Sequence, residues 1–235
     1  MANYFGAPGF TQSPARAGMS PVIAPQPAQV IRLGEMALWS TYLYADATAL
    51  AGRQGDDVFK VALGSPGQGW ANPLSIAETN LNQPGMISDG QAFNIYSIAL
   101  HPYYSGGNST ASTFPIVAGD LRNIQNNLVL AWAFPQVNID IAPAILIGSG
   151  GGIFGTSADT GAADGGGGSR IELNNGIGQV WVYQQNFVTL PTLVSFAIRL
   201  RWGANAVVVD GGSNASSLAL KVMLLGSYSQ ALQVG

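Results

Sequence analysis

The segment from Val194 to Trp202 constrains the fold most. Val194, Phe196, Ile198, Leu200 and Trp202 alternate with Ser195, Ala197, Arg199 and Arg201. Side chains along a strand point to opposite faces with a period of two, so this run predicts a strand with one face in a core. A helix of the same sequence would scatter its large residues around the cylinder. The pattern recurs. Leu218, Leu220, Val222 and Leu224 share a face in the run Leu218 to Tyr228, and Leu128, Leu130, Trp132 and Phe134 alternate with small residues. Met36 to Tyr44 is rich in aromatic and branched residues. Asp57 to Leu63 sets Phe59, Val61 and Leu63 on one face, and Gln91 to Leu100 is apolar on both faces.

Turn chemistry separates these runs at Ser65-Pro-Gly, Gln83-Pro-Gly, Ser105-Gly-Gly-Asn, Asn174-Asn-Gly and Asp210-Gly-Gly. One helix is expected, Gly119 to Leu128, with Asp120 as its cap and Leu121, Ile124 and Leu128 on one face. About eight strands between residues 90 and 228, with two or three before them, indicate an all-β sandwich or barrel.

Residues 1–30 stand apart. Pro8, Pro14, Pro21, Pro25 and Pro27 punctuate them, and Arg16 is their only charged side chain. Proline fixes φ and removes a donor, so the segment reads as an extended arm, with Tyr4, Phe5 and Phe10 as apolar anchors. Residues 31–235 form the β domain. Within it, residues 148–178 hold 12 glycines in 31 positions and read as a long surface loop. The start Met1 to Phe10 has neither the basic nor the apolar region of a signal peptide. The apolar run Ile141 to Ala158 contains Pro143 and five glycines, which argues against a membrane span.

Chemistry is scarce. Only 9% of residues are charged, against about 25% in an average soluble domain. Nine Lys and Arg against 12 Asp and Glu give a net charge of −3, which leaves no basic footprint for sequence-specific nucleic-acid binding. Cysteine is absent, and His101 is the only histidine. Thiol nucleophiles, disulfide frameworks and His-rich metal sites are therefore excluded within one chain. Gly150-Gly-Gly-Ile-Phe-Gly155 matches a dinucleotide fingerprint but is followed by Thr156-Ser-Ala-Asp-Thr-Gly, not by a helix to receive a pyrophosphate. Gly211-Gly-Ser213-Asn-Ala approaches a nucleophile elbow, yet His101, in His101-Pro-Tyr-Tyr104, would be its only base. Asp56 with Asp57, and Asp159 with Asp164, are the carboxylate pairs to weigh for glycosidase or Ca²⁺ chemistry. Solvated turns account for them better. Catalytic, cofactor and metal sites are accordingly expected to be none, and the chain is expected not to be an enzyme. Trp39, Trp70, Trp132, Trp181 and Trp202 serve either a core or a sugar-stacking platform.

The order of segments carries a resemblance. Glu78-Thr-Asn-Leu-Asn-Gln-Pro-Gly-Met-Ile-Ser-Asp-Gly-Gln-Ala-Phe-Asn-Ile-Tyr-Ser-Ile98 is similar to a strand entry. Asp120-Leu-Arg-Asn-Ile-Gln-Asn-Asn-Leu128 is similar to a short helix leading into a strand. Pro143 with Gly148-Ser-Gly-Gly-Gly-Ile-Phe-Gly155 is similar to a glycine-rich loop. Asn174-Asn-Gly176, Pro191, Phe196 to Trp202 and Leu220 to Gln233 are similar to closing strands. Together, over residues 75–233, they resemble the jelly-roll major capsid proteins of tailless icosahedral bacteriophages. Ser229 stands where an arginine-containing ending would be expected. The resemblance implies a jelly-roll β-sandwich that self-assembles into an icosahedral virion shell enclosing the phage genome, with no cofactor. A single barrel with an N-terminal extension is the expectation, and a compact double jelly-roll the alternative. Partners would be many copies of itself, minor capsid or vertex proteins and, as in some members, an internal lipid membrane. The competing reading is a carbohydrate-binding β-sandwich, lectin-like or a receptor-binding spike module, using Trp70, Tyr103, Tyr104 and loop asparagines.

Overall fold

The structure is a computed structural model and describes residues 29–46, 49–105, 113–115, 118–148, 156–159, 170–173, 181–182, 188–204 and 217–232. Residues 1–28 of the arm, Ser213, Asp164 and the Gly150–Gly155 run lie outside the described residues. In chain order the elements begin with strands β1 (Gln29–Tyr44), β2 (Asp56–Val58), β3 (Gln91–Ser105) and β4 (Thr113–Pro115). Helix α1 (Ala118–Asn127) leads into β5 (Leu128–Phe134) and β6 (Val137–Pro143), which a 3₁₀ turn at Ala144–Leu146 follows. Then come β7 (Thr156–Asp159), β8 (Arg170–Leu173), β9 (Trp181–Val182), β10 (Val188–Leu190), β11 (Ala197–Trp202) and β12 (Ser217–Leu232).

Two antiparallel sheets make up an all-β sandwich. The first runs β1-β12-β3-β10, with short β4 and β9 also on β3, and the second runs β2-β11-β5-β6. The pairing is nested: β1 joins β12, β2 joins β11, β3 joins β10 and β5 joins β6, all antiparallel. That is the order of one long hairpin ribbon. Rolling the ribbon brings β12 against β3 and β11 against β5, which closes both sheets.

The alternations seen in sequence make the core. Leu218, Leu220, Val222 and Leu224 are fully buried on one sheet, as are Phe196, Ile198, Leu200 and Trp202 on the other. They meet in one cluster with Leu128, Leu130, Trp132, Ile95 and Ile98. In α1, Ile124 is buried and Leu121 packs partly against the core, so the predicted apolar face of the helix is the one used.

Several local expectations change. Val194 precedes the strand and is 39% exposed, because Leu193 takes a left-handed φ of 60° and β11 begins only at Ala197. The expected strand Asp57 to Leu63 stops at Val58. Phe59 there turns to a φ of 70°, gives its N–H to Ser40 Oγ at 3.1 Å and buries its ring 5.7 Å from that of Phe196. Asp120 is inside the first turn of α1, not at its cap; it is buried and accepts the Tyr104 hydroxyl proton. The glycine-rich segment 148–178 holds a two-stranded hairpin of its own, β7 with β8.

The connection between β2 and β3 closes one sheet edge. β1 is an outer strand, and its outward backbone groups would be a template for a stray strand. Residues 68–80 occupy those of Ala37–Leu43. Leu43 N–H donates to Gln68 O at 2.8 Å, Trp39 N–H to Asn80 Oδ1 at 2.9 Å, and Asn80 Nδ2 to Ala37 O at 2.8 Å. Thr41 O accepts from Gln68 Nε2 and Trp70 Nε1. Further hydrogen bonds hold the Gln68 amide in place. Its Nε2 also donates to Ser40 Oγ at 2.8 Å, and its Oε1 accepts Lys60 N–H at 2.9 Å.

Candidate functional site

Of the carboxylates singled out in sequence, Asp56 and Asp57 are each held by an arginine. Asp56 and Asp57 are successive residues of β2 and so face opposite ways. Asp56 is buried beneath the turn that precedes β2, where Arg53 grips both its oxygens at 2.7 Å and the Tyr42 hydroxyl donates to it at 3.0 Å. Burial alone would raise its pKa, but the Arg53 and Tyr42 hydrogen bonds outweigh that and hold the carboxyl below its usual range. Tyr44 continues the chain of contacts. It accepts from Trp202 Nε1 at 2.9 Å, and burial pushes its hydroxyl far above the ordinary tyrosine range. Asp57 lies on the outer face, bound twice by Arg199 at 2.7 and 3.0 Å. An acid–base pair needs two opposed carboxyl groups with different proton affinities across a cleft; this pair is separated by the sheet and neutralised on both sides.

The buried Asp56–Arg53 contact makes acid sensitivity a specific expectation. A carboxyl whose folded pKa is depressed contributes stability above its unfolded value, about 3.9, and loses that contribution as pH falls through the folded value. Urea denaturation of the wild type should therefore weaken steeply below about pH 4. The Asp56→Asn variant, less stable at neutral pH, should show a flatter acid limb. Equal limbs in the two proteins would count against an ionised, stabilising Asp56.

His101 sits on the outer face of the first sheet, opposite Lys221 of β12 in register. Burial and the Lys221 charge hold its imidazole below the usual range. Its ring lies 5.8 Å from that of Tyr103, over which Lys221 Nζ stands at 6.0 Å. Burial pushes the Tyr103 hydroxyl up to about 12. Among the described residues, no group of three or more His, Cys, Asp or Glu side chains that could hold a metal is formed.

Among the described residues, the aromatic side chains do not form one platform. Tyr103 faces outward while its neighbour Tyr104 is buried toward α1. Trp39 Nε1 donates to Ile76 O, Trp70 Nε1 to Thr41 O, and Trp202 lies in the core. Trp132 stacks on Phe134 with centroids 5.8 Å apart. Of Trp181 and Asp159 the backbone places only the positions, on β9 and β7.

What the surface does offer is strand edge and exposed apolar side chains. β2 and β10 are three residues each, and β1 is covered over Ala37–Leu43 by residues 68–80. β6 is the outer strand of the second sheet, and no described strand lies on its far side. Val137 is 48% exposed and Ile139 51%. On its outer face Arg201 reaches Asp140, and Arg199 Nη1 donates to Asn138 Oδ1 at 3.3 Å. The arginines belong to β11 and cross over β5 because β5 presents only Val129, Ala131 and Ala133 on that side. Sequence reading does not single out β6, although Val137, Ile139 and Ile141 alternate with Asn138 and Asp140 between Pro135 and Pro143; a run of five residues is too short to stand out. No family model, no curated protein and no solved structure matches this chain.

Proposed function

We propose that the chain is a jelly-roll capsid protein whose copies self-assemble into an icosahedral virion shell around a phage genome, as a single barrel with an N-terminal extension. The nested pairing of the ribbon carries this reading: first strand with last, second with second-last, and so inward to β5 with β6. That order of pairing supports a jelly-roll, a fold used repeatedly by viral shells. Fold does not by itself specify function, so the surface is the second support. Asp56 and Asp57 are consumed by arginines, and 9% charge lets many copies approach without strong repulsion. An open strand edge with exposed Val137 and Ile139 suits contact with another protein. Partners on this reading are copies of the same chain, minor capsid or vertex proteins, and an internal membrane where the virion has one.

Electron microscopy and sedimentation of the purified protein test it. Closed particles of megadalton mass are expected. A monomer or small oligomer under all conditions, retained on immobilised glycans, would overturn the reading in favour of a carbohydrate-binding sandwich.

A further inference from the structure

We propose that β6 of one copy pairs antiparallel with β6 of a second copy, about a two-fold axis normal to the sheet at Ile139, so that the two four-stranded sheets become one. This rests on the self-assembly reading and names one of its contacts. The state of each edge selects the strand: β1 is covered over Ala37–Leu43 and bulged between Arg32 and Gly34, β2 and β10 are too short to template a partner, and among the described residues no strand covers β6 along Val137–Pro143.

Self-complementarity selects the occupant and the register. A two-fold axis normal to the sheet keeps the apolar sides together, and directly opposed residues then share a face. Centring on Asp140 would oppose two carboxylates, which is unfavourable. Centring on Ile139 opposes Ile139 to its own copy on the core side, next to the buried Trp132 that is its register partner. On the outer side the same centre opposes Asn138 to Asp140 of the second copy, twice. Here the charges match. Arg199 donates to Asn138 Oδ1, which leaves the amide NH₂ as the donor this side chain offers, with the guanidinium charge beside it. Asp140 is exposed, so its carboxylate can receive that donor while keeping Arg201.

The contact is also bounded. Pro135 stands before the strand, a register shift between Leu130 and Ala131 leaves Ile141 as an extra residue in β6, and Pro143 ends it. Pairing is confined to the few residues around Ile139, and the two-fold closes it, so it cannot run on into a fibre. One such contact is small; a shell multiplies it.

The absence of cysteine allows a clean test. Directly opposed residues have Cβ atoms about 4.5–5.5 Å apart, close enough for a disulfide to form with slight adjustment. In an Ile139→Cys variant, mild oxidation of assembled protein should convert most chains to covalent dimers. In Val137→Cys the two thiols would stand about 13 Å apart, and few dimers should form. Both positions are exposed, and circular dichroism checks that both variants fold. Particles that form normally while Ile139→Cys stays monomeric on oxidising gels, or while Asn138→Cys or Val137→Cys crosslinks as well, would overturn the contact and leave the shell reading standing. Efficient Ile139→Cys dimers from a protein that never makes particles would support the contact and remove the shell reading.

Discussion

A Gly69→Ala variant is expected to lose more than about 4 kcal/mol of stability, a loss reached only when a core or backbone feature is broken. Typical domains have about 5–15 kcal/mol in total, so much of the protein would be unfolded or insoluble at 37 °C. A Cβ on residue 69 would lie 1.7 Å from Leu43 O and 2.8 Å from the Leu43 carbonyl carbon. Both are backbone atoms of β1, paired along its length with β12, and cannot yield cheaply. The φ of 84° adds the ordinary cost of a left-handed residue, about 1–2 kcal/mol. Relief would require residues 68–70 to lift away, and with them the Leu43–Gln68 and Trp70–Thr41 hydrogen bonds that close the edge. Gly64→Ala is the control: φ is 82°, but nothing lies within 4 Å of the added carbon. Urea midpoints should fall slightly for Gly64→Ala and collapse for Gly69→Ala. Similar small shifts in both would show that residues 68–70 are not held against β1.

Trp202→Ala is expected to cost about 3–5 kcal/mol, the range for removing a buried large aromatic side chain. The indole is completely buried at the end of β11, edge-on to Tyr44 with centroids 5.7 Å apart and planes at 82°. Its loss leaves a cavity. It also takes away the Nε1–H that Tyr44 accepts, beside the Tyr42–Asp56–Arg53 contacts. Trp202→Phe reduces the packing effect, since it keeps most of the volume while removing the donor; about 1–3 kcal/mol is expected. Thermal denaturation followed by far-ultraviolet circular dichroism would rank wild type, Phe and Ala. If Phe proved as damaging as Ala, the hydrogen bond and not the packing would dominate.

Period-two patterning is what makes this fold readable. Leu218 to Leu224 and Phe196 to Trp202 announce their faces because each strand has one side in the core and a different chemistry on the other. Helix α1 is visible for the same reason at a different period, through Leu121, Ile124 and Leu128. The failures lie where a tertiary contact overrides the local pattern. Phe59 continues an apparent strand, yet Ser40 captures its N–H and the core captures its ring, so the chain turns there. Asp120 looks like a cap, but Tyr104 from β3 draws it inside the helix turn. The sites follow the same rule. Adjacent Asp56 and Asp57 look like a pair in one dimension, whereas β2 sends them to opposite faces to meet Arg53 and Arg199. Arg53 and Gln68 carry their importance through partners 3 and 28 positions away, which no local motif marks.

The position of β12 between β1 and β3 governs how the chain can be made. The two strands that flank it emerge from the ribosome long before it does, with apolar faces that have no neighbour to cover them. At about 5–20 residues per second, roughly 10–40 s separate the synthesis of β1 from that of β12 at the same rates. Until then the first sheet lacks its middle, and that sheet cannot form before β12 has been made. A nascent chain with these long-range pairings is slow to fold and open to wrong associations. Its yield in a cell thus depends on being shielded during that interval as much as on the stability of the finished protein.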